Sequence, residues 1–145
     1  MPRTGVNVVG VARLNNITFA CEEPVRLAEF WRQALGYEHL DVPAEVQEAV
    51  DHAIAAGELD AAGWAMLVNP DGTGPRLLFQ RRPKTPTEHI PIHVDLGAED
   101  PEAELERLLA LGATLVERRS QRIGPFEEHW AVLKDPENNG FCLHL

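Results

Sequence analysis

The sequence predicts an α+β fold made of two successive β-α-β-β-β units, on three observations. The first is an internal repeat. At an offset of 77 positions, Asn16-Ile17-Thr18-Phe19 lies over His93-Val94-Asp95-Leu96, and Glu22-Glu23-Pro24 lies over Glu99-Asp100-Pro101. With one residue of slippage, Leu35-Gly36 lies over Leu111-Gly112. A period of that length in 145 residues marks two copies of one supersecondary unit. The second observation is that each copy passes from a short apolar run to a stretch with apolar residues three and four apart, a strand followed by an amphipathic helix. The third is that Gly, Pro and Asn fall between these segments, where turns need them. Function is expected where the two halves meet.

The elements follow in order. Met1 to Val11 is a lead-in, with Val6 to Val11 apolar enough to lie along a sheet edge. Leu14 to Cys21 reads as a strand. Glu22, Glu23 and Pro24 open a helix, with carboxylates in its first turn and Pro near its start. Leu27, Phe30, Trp31, Ala34 and Leu35 form its buried stripe, and Gly36 ends it. Tyr37 to Val42 reads as a short strand. Pro43 starts a second helix, Ala44 to Ala56, with Val46, Ala49, Val50, Ala53 and Ile54 as its stripe. The second half has no counterpart to this helix, which is therefore read as an insertion at 43–56. Strands Trp64 to Val68 and Arg76 to Arg81 flank the turn Asn69-Pro70-Asp71-Gly72, and Pro83 to Glu88 links the halves. The second half then reads as strand Ile90 to Leu96 and helix Asp100 to Leu111, with Leu105, Leu108, Leu109 and Leu111 as the stripe. Strands Thr114 to Arg118, His129 to Lys134 and Phe141 to Leu145 complete it. Gly124-Pro125 and Asp135-Pro136-Glu137-Asn138-Asn139-Gly140 provide the breaks. The chain is read as one domain, with a first module over about 12–84 and a second over about 88–145.

Composition bounds the function. The formal charge of −10 argues against nucleic acid and anionic membrane, whose phosphates need Lys and Arg. No apolar run approaches the roughly 18 residues of a bilayer span, and the N-terminus lacks the apolar core of a signal peptide. Cys21 and Cys142 form no metal-finger spacing and no disulfide framework, so a reduced, cytoplasmic setting is expected. Six carboxylates between Asp41 and Asp60, with no Lys or Arg among them, read as a solvated helix face.

The strand Asn16-Ile17-Thr18-Phe19, the helix Ala28-Glu29-Phe30-Trp31 running to Leu35-Gly36-Tyr37, the join Leu111-Gly112-Ala113 and the ending Lys134-Asp135-Pro136-Glu137-Asn138-Asn139-Gly140-Phe141-Cys142-Leu143 carry a resemblance. The chain resembles the vicinal-oxygen-chelate superfamily of glyoxalase I, extradiol dioxygenases and bleomycin-resistance proteins, over about residues 12 to 145. Phe-Trp, His-Val-Asp-Leu and Asp-Pro-Glu-Asn-Asn-Gly-Phe-Cys point to its glyoxalase-like subgroup. The resemblance implies two pseudo-symmetric modules forming an open concave barrel, with the helices outside. In the superfamily's metalloenzymes, inward residues from the first and last strands of each module bind one divalent metal, which polarises a chelated substrate.

Carried onto this chain, the resemblance places Asn16 at the first ligand position, Leu78 or Gln80 at the second, His93 at the third and Cys142 at the fourth. Side-chain amides are weak neutral ligands and a thiolate is soft, so this set does not suit hard cations. No resident metal is expected, with a divalent metal on Asn16, Gln80, His93 and Cys142 kept as the alternative. His144 shares the strand parity of Cys142, about 7 Å further along. His93 and Asp95 alternate onto one strand face, as a buried general base and its orienting carboxylate or as a hydrogen-bonded core pair. Trp64, Trp130, Tyr37 and Phe141 lie on or beside strands, where some are expected to line a cavity for a flat ligand. Trp31 is assigned to the core, and His129 to solvent or the cavity mouth. Arg118, Arg119 and Arg122 read as a solvated basic loop. Cys142 reads as a buried thiol, with nucleophilic reactivity as the alternative.

The expected function is a binding module. It holds a small organic ligand against Asn16, Trp64, Gln80, His93, Trp130, Cys142 and His144, works without a metal, and forms a homodimer. The alternative is an enzyme, a lyase, isomerase or dioxygenase, using His93 as metal ligand or, with Asp95, as general base. A partner docking on the acidic 43–56 helix is a third reading.

Overall fold

The structure, a computed structural model, describes residues 16–82, 93–123 and 126–145. The expected lead-in, the start of the first strand, the Pro83 to Glu88 linker, Ile90 to Ile92 and the Gly124-Pro125 break lie outside the described residues. The elements run β1 (Asn16–Cys21), α1 (Pro24–Leu35), β2 (Glu38–His39), α2 (Ala44–Ala55), β3 (Trp64–Val68), β4 (Arg76–Arg81), β5 (Val94–Leu96), α3 (Pro101–Leu111), β6 (Thr114–Ile123), β7 (Phe126–Lys134) and β8 (Gly140–His144). They form two four-stranded sheets, ordered β1-β4-β3-β2 and β5-β8-β7-β6. In each, the first strand runs parallel to the last and the other pairs are antiparallel. This is the predicted α+β pair of β-α-β-β-β units, and neither sheet closes into a barrel. No helix among the described residues is long and apolar enough to cross a membrane.

Strand alternation sorts each sheet into two faces. Ile17, Phe19 and Cys21 on β1, Leu77 and Phe79 on β4, and Phe141 and Leu143 on β8 belong to the core. Their neighbours Thr18, Leu78, Cys142 and His144 stand on the opposite faces. Helix α1 follows the prediction closely. Pro24 starts it, and Gly36, at φ 67, ends it in the left-handed region that glycine enters without a Cβ clash. Leu27, Ala28, Phe30, Trp31 and Ala34 are buried, a stripe wide enough to meet both halves. Trp31 packs on Phe19 of the first unit, with ring centroids 5.5 Å apart, and on Phe141 of the second at 5.0 Å. Its indole Nε1 donates to the buried carboxylate of Asp135 at 3.1 Å. Asp135 also accepts from the backbone amides of Glu137 and Asn139 and from the Asn139 side chain, which closes the β7–β8 turn.

The second unit caps α1 at both ends. The expected first-turn carboxylates do not do it, because Glu22 and Glu23 precede the helix and Glu23 makes no side-chain cap bond. Glu137, from the β7–β8 turn, accepts from the amides of Glu22 at 2.6 Å and Glu23 at 3.0 Å. At the other end, Arg107 of α3 donates to the carbonyls of Gln33 and Ala34 at 3.0 and 2.7 Å. A carboxylate at the N-terminus and a guanidinium at the C-terminus match the helix dipole. Helix α3 supplies its own cap, the Asp100 side chain accepting from the amide of Ala103.

Three sequence expectations change. The strand read over Tyr37 to Val42 shrinks to Glu38–His39, because the chain leaves the sheet to begin α2 at Pro43. The α2 stripe is not buried: Val46 is 47% exposed and no residue of the helix is fully covered. The loop read through Arg118 to Arg122 is instead strand, because β6 and β7 pair well beyond the end of β8. Arg118 and Arg119 sit in that ladder and make ion pairs with Glu102 and Glu117.

Two outcomes follow. Replacing Asp135 by Ala strands the Trp31 indole and two turn amides, and lowers the unfolding free energy in urea melts by about 2–4 kcal/mol. A loss below about 1 kcal/mol would show that water replaces the carboxylate at little cost. The second concerns acid. A hydrogen bond from Arg107 holds the Glu104 carboxyl below its usual value of 4.5 in the folded chain. The pair therefore supports the fold above that pH and loses its contribution as the pH falls further. The thermal midpoint should drop more steeply between pH 5 and pH 3 in the parent than in Glu104→Gln; parallel curves would rule the pair out.

Candidate functional site

The groove that collects most of the candidate residues lies on the second sheet, on the face turned away from the helices. It encloses about 540 Å³, and its walls include His93, Asp95, Arg119, Trp130, Cys142 and His144. Strand pairing explains the grouping. Asp95 lies beside Cys142 across β5 and β8, Cys142 beside Val132, and His144 beside Trp130 across β8 and β7. His93 stands two residues before Asp95 and so reaches the same side.

Arg119 arrives by a route the sequence did not reveal. The β6–β7 register shifts between Leu115 and Glu117, so Val116 is an extra residue and the strand inverts its faces there. With the shift, Arg119 lies opposite Trp130 and Arg118 opposite Ala131. Arg119 thus joins the groove. Arg118 turns to the helix side, where both its terminal nitrogens donate to Glu102 of α3 at 2.7 Å. Unshifted alternation would have put Arg118 opposite Trp130.

His93 Nδ1 is 3.2 Å from Asp95 Oδ1, so the expected pair forms. It is not buried: the two side chains are 48% and 50% exposed. Cys142, read from the sequence as a buried thiol, is half-buried on the groove wall. Burial pushes its thiol up from the ordinary value, the neighbouring Asp95 carboxylate pushes it further, and Arg119 pulls the other way. A thiol so placed is held protonated, which is the opposite of an activated nucleophile. Phe141 faces the core against Trp31 rather than the groove centre, and His129 is exposed near Glu127.

The remaining candidates lie on the other sheet. Trp64 and Gln80 border a separate hollow near Asp60 and Arg81. The oxygen of Asn16 accepts from Nε of Arg76 at 3.0 Å. The ladder also settles which β4 residue matches Cys142. Ile17 pairs with Leu77 as Val94 pairs with Phe141, so Leu78 corresponds to Cys142 and Gln80 to His144. Trp64 corresponds to Trp130 by the same logic. At the metal positions that the resemblance implies, the first sheet therefore offers an amide already engaged by arginine and an apolar leucine. This set does not fit a hard divalent cation shared between two modules. Among the described residues, the second sheet does gather three donors, from His93, Asp95 and Cys142, all within 4.8 Å of one another.

Comparison with known proteins agrees with this architecture. The family model described as Glyoxalase-like domain matches residues 16–144. A glyoxalase/bleomycin resistance protein/dioxygenase family enzyme from Burkholderia phytofirmans superposes with a TM-score of 0.62 at 18% identity, covering 92% of this chain and 98% of that one. A variant of the FosX fosfomycin resistance protein from Listeria monocytogenes, complexed with Mn(II) and 1S,2S-dihydroxypropylphosphonic acid, superposes at 0.63 with 15% identity, over 92% and 90% of the two chains. A superfamily member from Sphaerobacter thermophilus gives 0.57 at 17% identity, over 92% and 97%. At these identities the likeness is one of fold. No curated protein matches the chain significantly.

The state of the Cys142 thiol is open to measurement. Iodoacetamide at neutral pH should label Cys142 slowly and leave the buried Cys21 untouched. Asp95→Asn removes the carboxylate charge, which adds to burial in raising the thiol, and should speed labelling about three- to tenfold. Unchanged or slower labelling would mean that access, not the carboxylate, limits the reaction.

Proposed function

The chain belongs to the glyoxalase-like domain family of the vicinal-oxygen-chelate superfamily, and from that premise we propose that its second-sheet groove binds a small, flat organic molecule. The observation that carries this reading is the groove itself. A half-buried Trp130 offers a stacking surface, while Arg119, His93 and His144 offer polar groups at its edges. A volume of about 540 Å³ suits a molecule of modest size. FosX, in the structure compared above, holds a small phosphonic acid, and an organic acid here would compete with Glu117 for Arg119. The reading needs no metal, since stacking and hydrogen bonding suffice.

We read the active form as a homodimer in a reducing, cytoplasmic setting. The support is that Asn16, Trp64 and Gln80 sit on one sheet while His93, Trp130, Cys142 and His144 sit on the other. A second copy laid across the groove would bring the two sets together. Gel filtration of a dimer gives about 32 kDa, twice the 16.1 kDa chain; an elution volume at the monomer mass would sink this part of the reading.

A second reading is favoured by one observation, the 3.2 Å contact of His93 with Asp95. That pair suits proton abstraction from a bound ligand, with the carboxylate orienting the imidazole.

The experiment is a ligand screen on metal-free protein, reading tryptophan fluorescence and thermal midpoint against small aromatic and heteroaromatic acids. Trp130→Ala should weaken any hit about tenfold or more, matching the loss of one stacked aromatic surface. Hits that bind Trp130→Ala as well as the parent would place the ligand elsewhere. For a hit with an acidic C–H bond, exchange with deuterium oxide that disappears in His93→Gln supports catalysis, and exchange that persists removes it.

A further inference from the structure

The cation that reaches the second-sheet groove does not arrive alone. The register shift that turns Arg119 toward Trp130 also sets Glu117 opposite Val132, two residues earlier on the same face of β6. One carboxylate oxygen of Glu117 accepts from Nε of Arg119, at 2.7 Å, and from one of its terminal nitrogens. The guanidinium is thereby held along the strand, and its charge is matched before any ligand enters. With side chains 56% and 46% exposed the pair is a weak one, so a ligand can break it at a modest cost.

The other fixed charges of the groove are negative. Asp95 on β5 and Glu128 on β7 both lie in its wall. In the order β5-β8-β7-β6, Trp130 sits between the strand of Asp95 and the strand of Arg119. A flat molecule stacked there has carboxylates on one side and an occupied guanidinium on the other. An acidic head that seeks Arg119 must displace Glu117 and lie near Asp95 and Glu128 as well. An uncharged or cationic head meets neither obstacle, and a penalty of that kind is how a site rejects the wrong ligand.

We propose that Glu117 sets the charge preference of the groove: by holding Arg119 it turns away flat acids and leaves the site to flat molecules with an uncharged or cationic head. This rests on the reading of the groove as a ligand site, and adds the residue that selects among ligands there. Glu117 acts through Arg119 and is a positioning residue. Acids still enter, in competition with it, and bind more weakly than their amides.

The probes are benzoate, benzamide and benzamidine, one flat ring with an anionic, a neutral or a cationic head. Each is titrated into the full-length chain and followed by NMR at about pH 8, above the ordinary imidazole range. In the parent, benzoate should bind about threefold or more weakly than benzamide, and benzamidine most tightly. Glu117→Gln, nearly the same size and on a half-exposed strand face, should strengthen benzoate about three- to tenfold and weaken benzamidine. Benzamide should stay within about twofold. Adding Arg119→Gln should cut the gain for benzoate to about twofold or less, the coupling expected when one residue acts through the other. A loss of structure would not move the two charged probes in opposite directions. The inference is overturned if the parent binds benzoate as tightly as benzamide, if Glu117→Gln shifts all three probes alike, or if its gain persists without Arg119. If no probe binds, or if binding is indifferent to Trp130→Ala, the groove reading itself fails and this inference falls with it.

Discussion

One buried carboxylate decides how the two halves are joined. Asp135 organises the β7–β8 turn through the amides of Glu137 and Asn139 and receives the indole of Trp31 from the other unit. A charge so enclosed is tolerated only because every lone pair has a donor nearby. The consequences spread outward. The closed turn aims Glu137 at the start of α1, and the fixed indole sets Trp31 between Phe19 and Phe141. The core is therefore continuous across a boundary that the two sheets leave unpaired.

Against this shared scaffold, the two units have drifted apart where chemistry would sit. The ladder aligns Asn16 with His93, Leu78 with Cys142, Gln80 with His144 and Trp64 with Trp130. The tryptophans survive as a pair. The donors do not: the first unit keeps amides and a leucine, while the second keeps two imidazoles, a thiol and a carboxylate. The chain thus concentrates its polar chemistry in one half of a symmetric frame, and the fold alone implies nothing about which reaction, if any, is carried out there.

Much of this was legible in the sequence because repeats and periodicity are local signals. The offset between Asn16-Ile17-Thr18-Phe19 and His93-Val94-Asp95-Leu96, and the Trp31 helix stripe, fix two β-α-β-β-β units without knowledge of contacts. Strand parity put His93 with Asp95 and Cys142 with His144. The failures have one physical origin, namely that burial and register are tertiary. The α2 stripe looked like a core face but none of its residues is buried, with Val50, Ala53 and Ile54 only partly covered. The polar run through Arg118 looked like loop but is held as strand by its partner β7. Arg119 was singled out only as loop charge, because a bulge leaves no mark in the amino-acid pattern. The choice between Leu78 and Gln80 likewise needed the observed pairing.

That bulge has an evolutionary reading. Substitution can change what Arg118 or Arg119 is, but it cannot change which side of the sheet either one occupies. Loss of the single codon for Val116 would remove the extra residue and leave Glu117 opposite Val132 and Arg119 opposite Trp130, as they are now. The groove would keep its cation, and the link between β6 and Glu102 would stand, because Arg118 keeps its place opposite Ala131. An unbulged strand has no such spare residue, so this is the point at which β6 can lose one residue without turning its faces over.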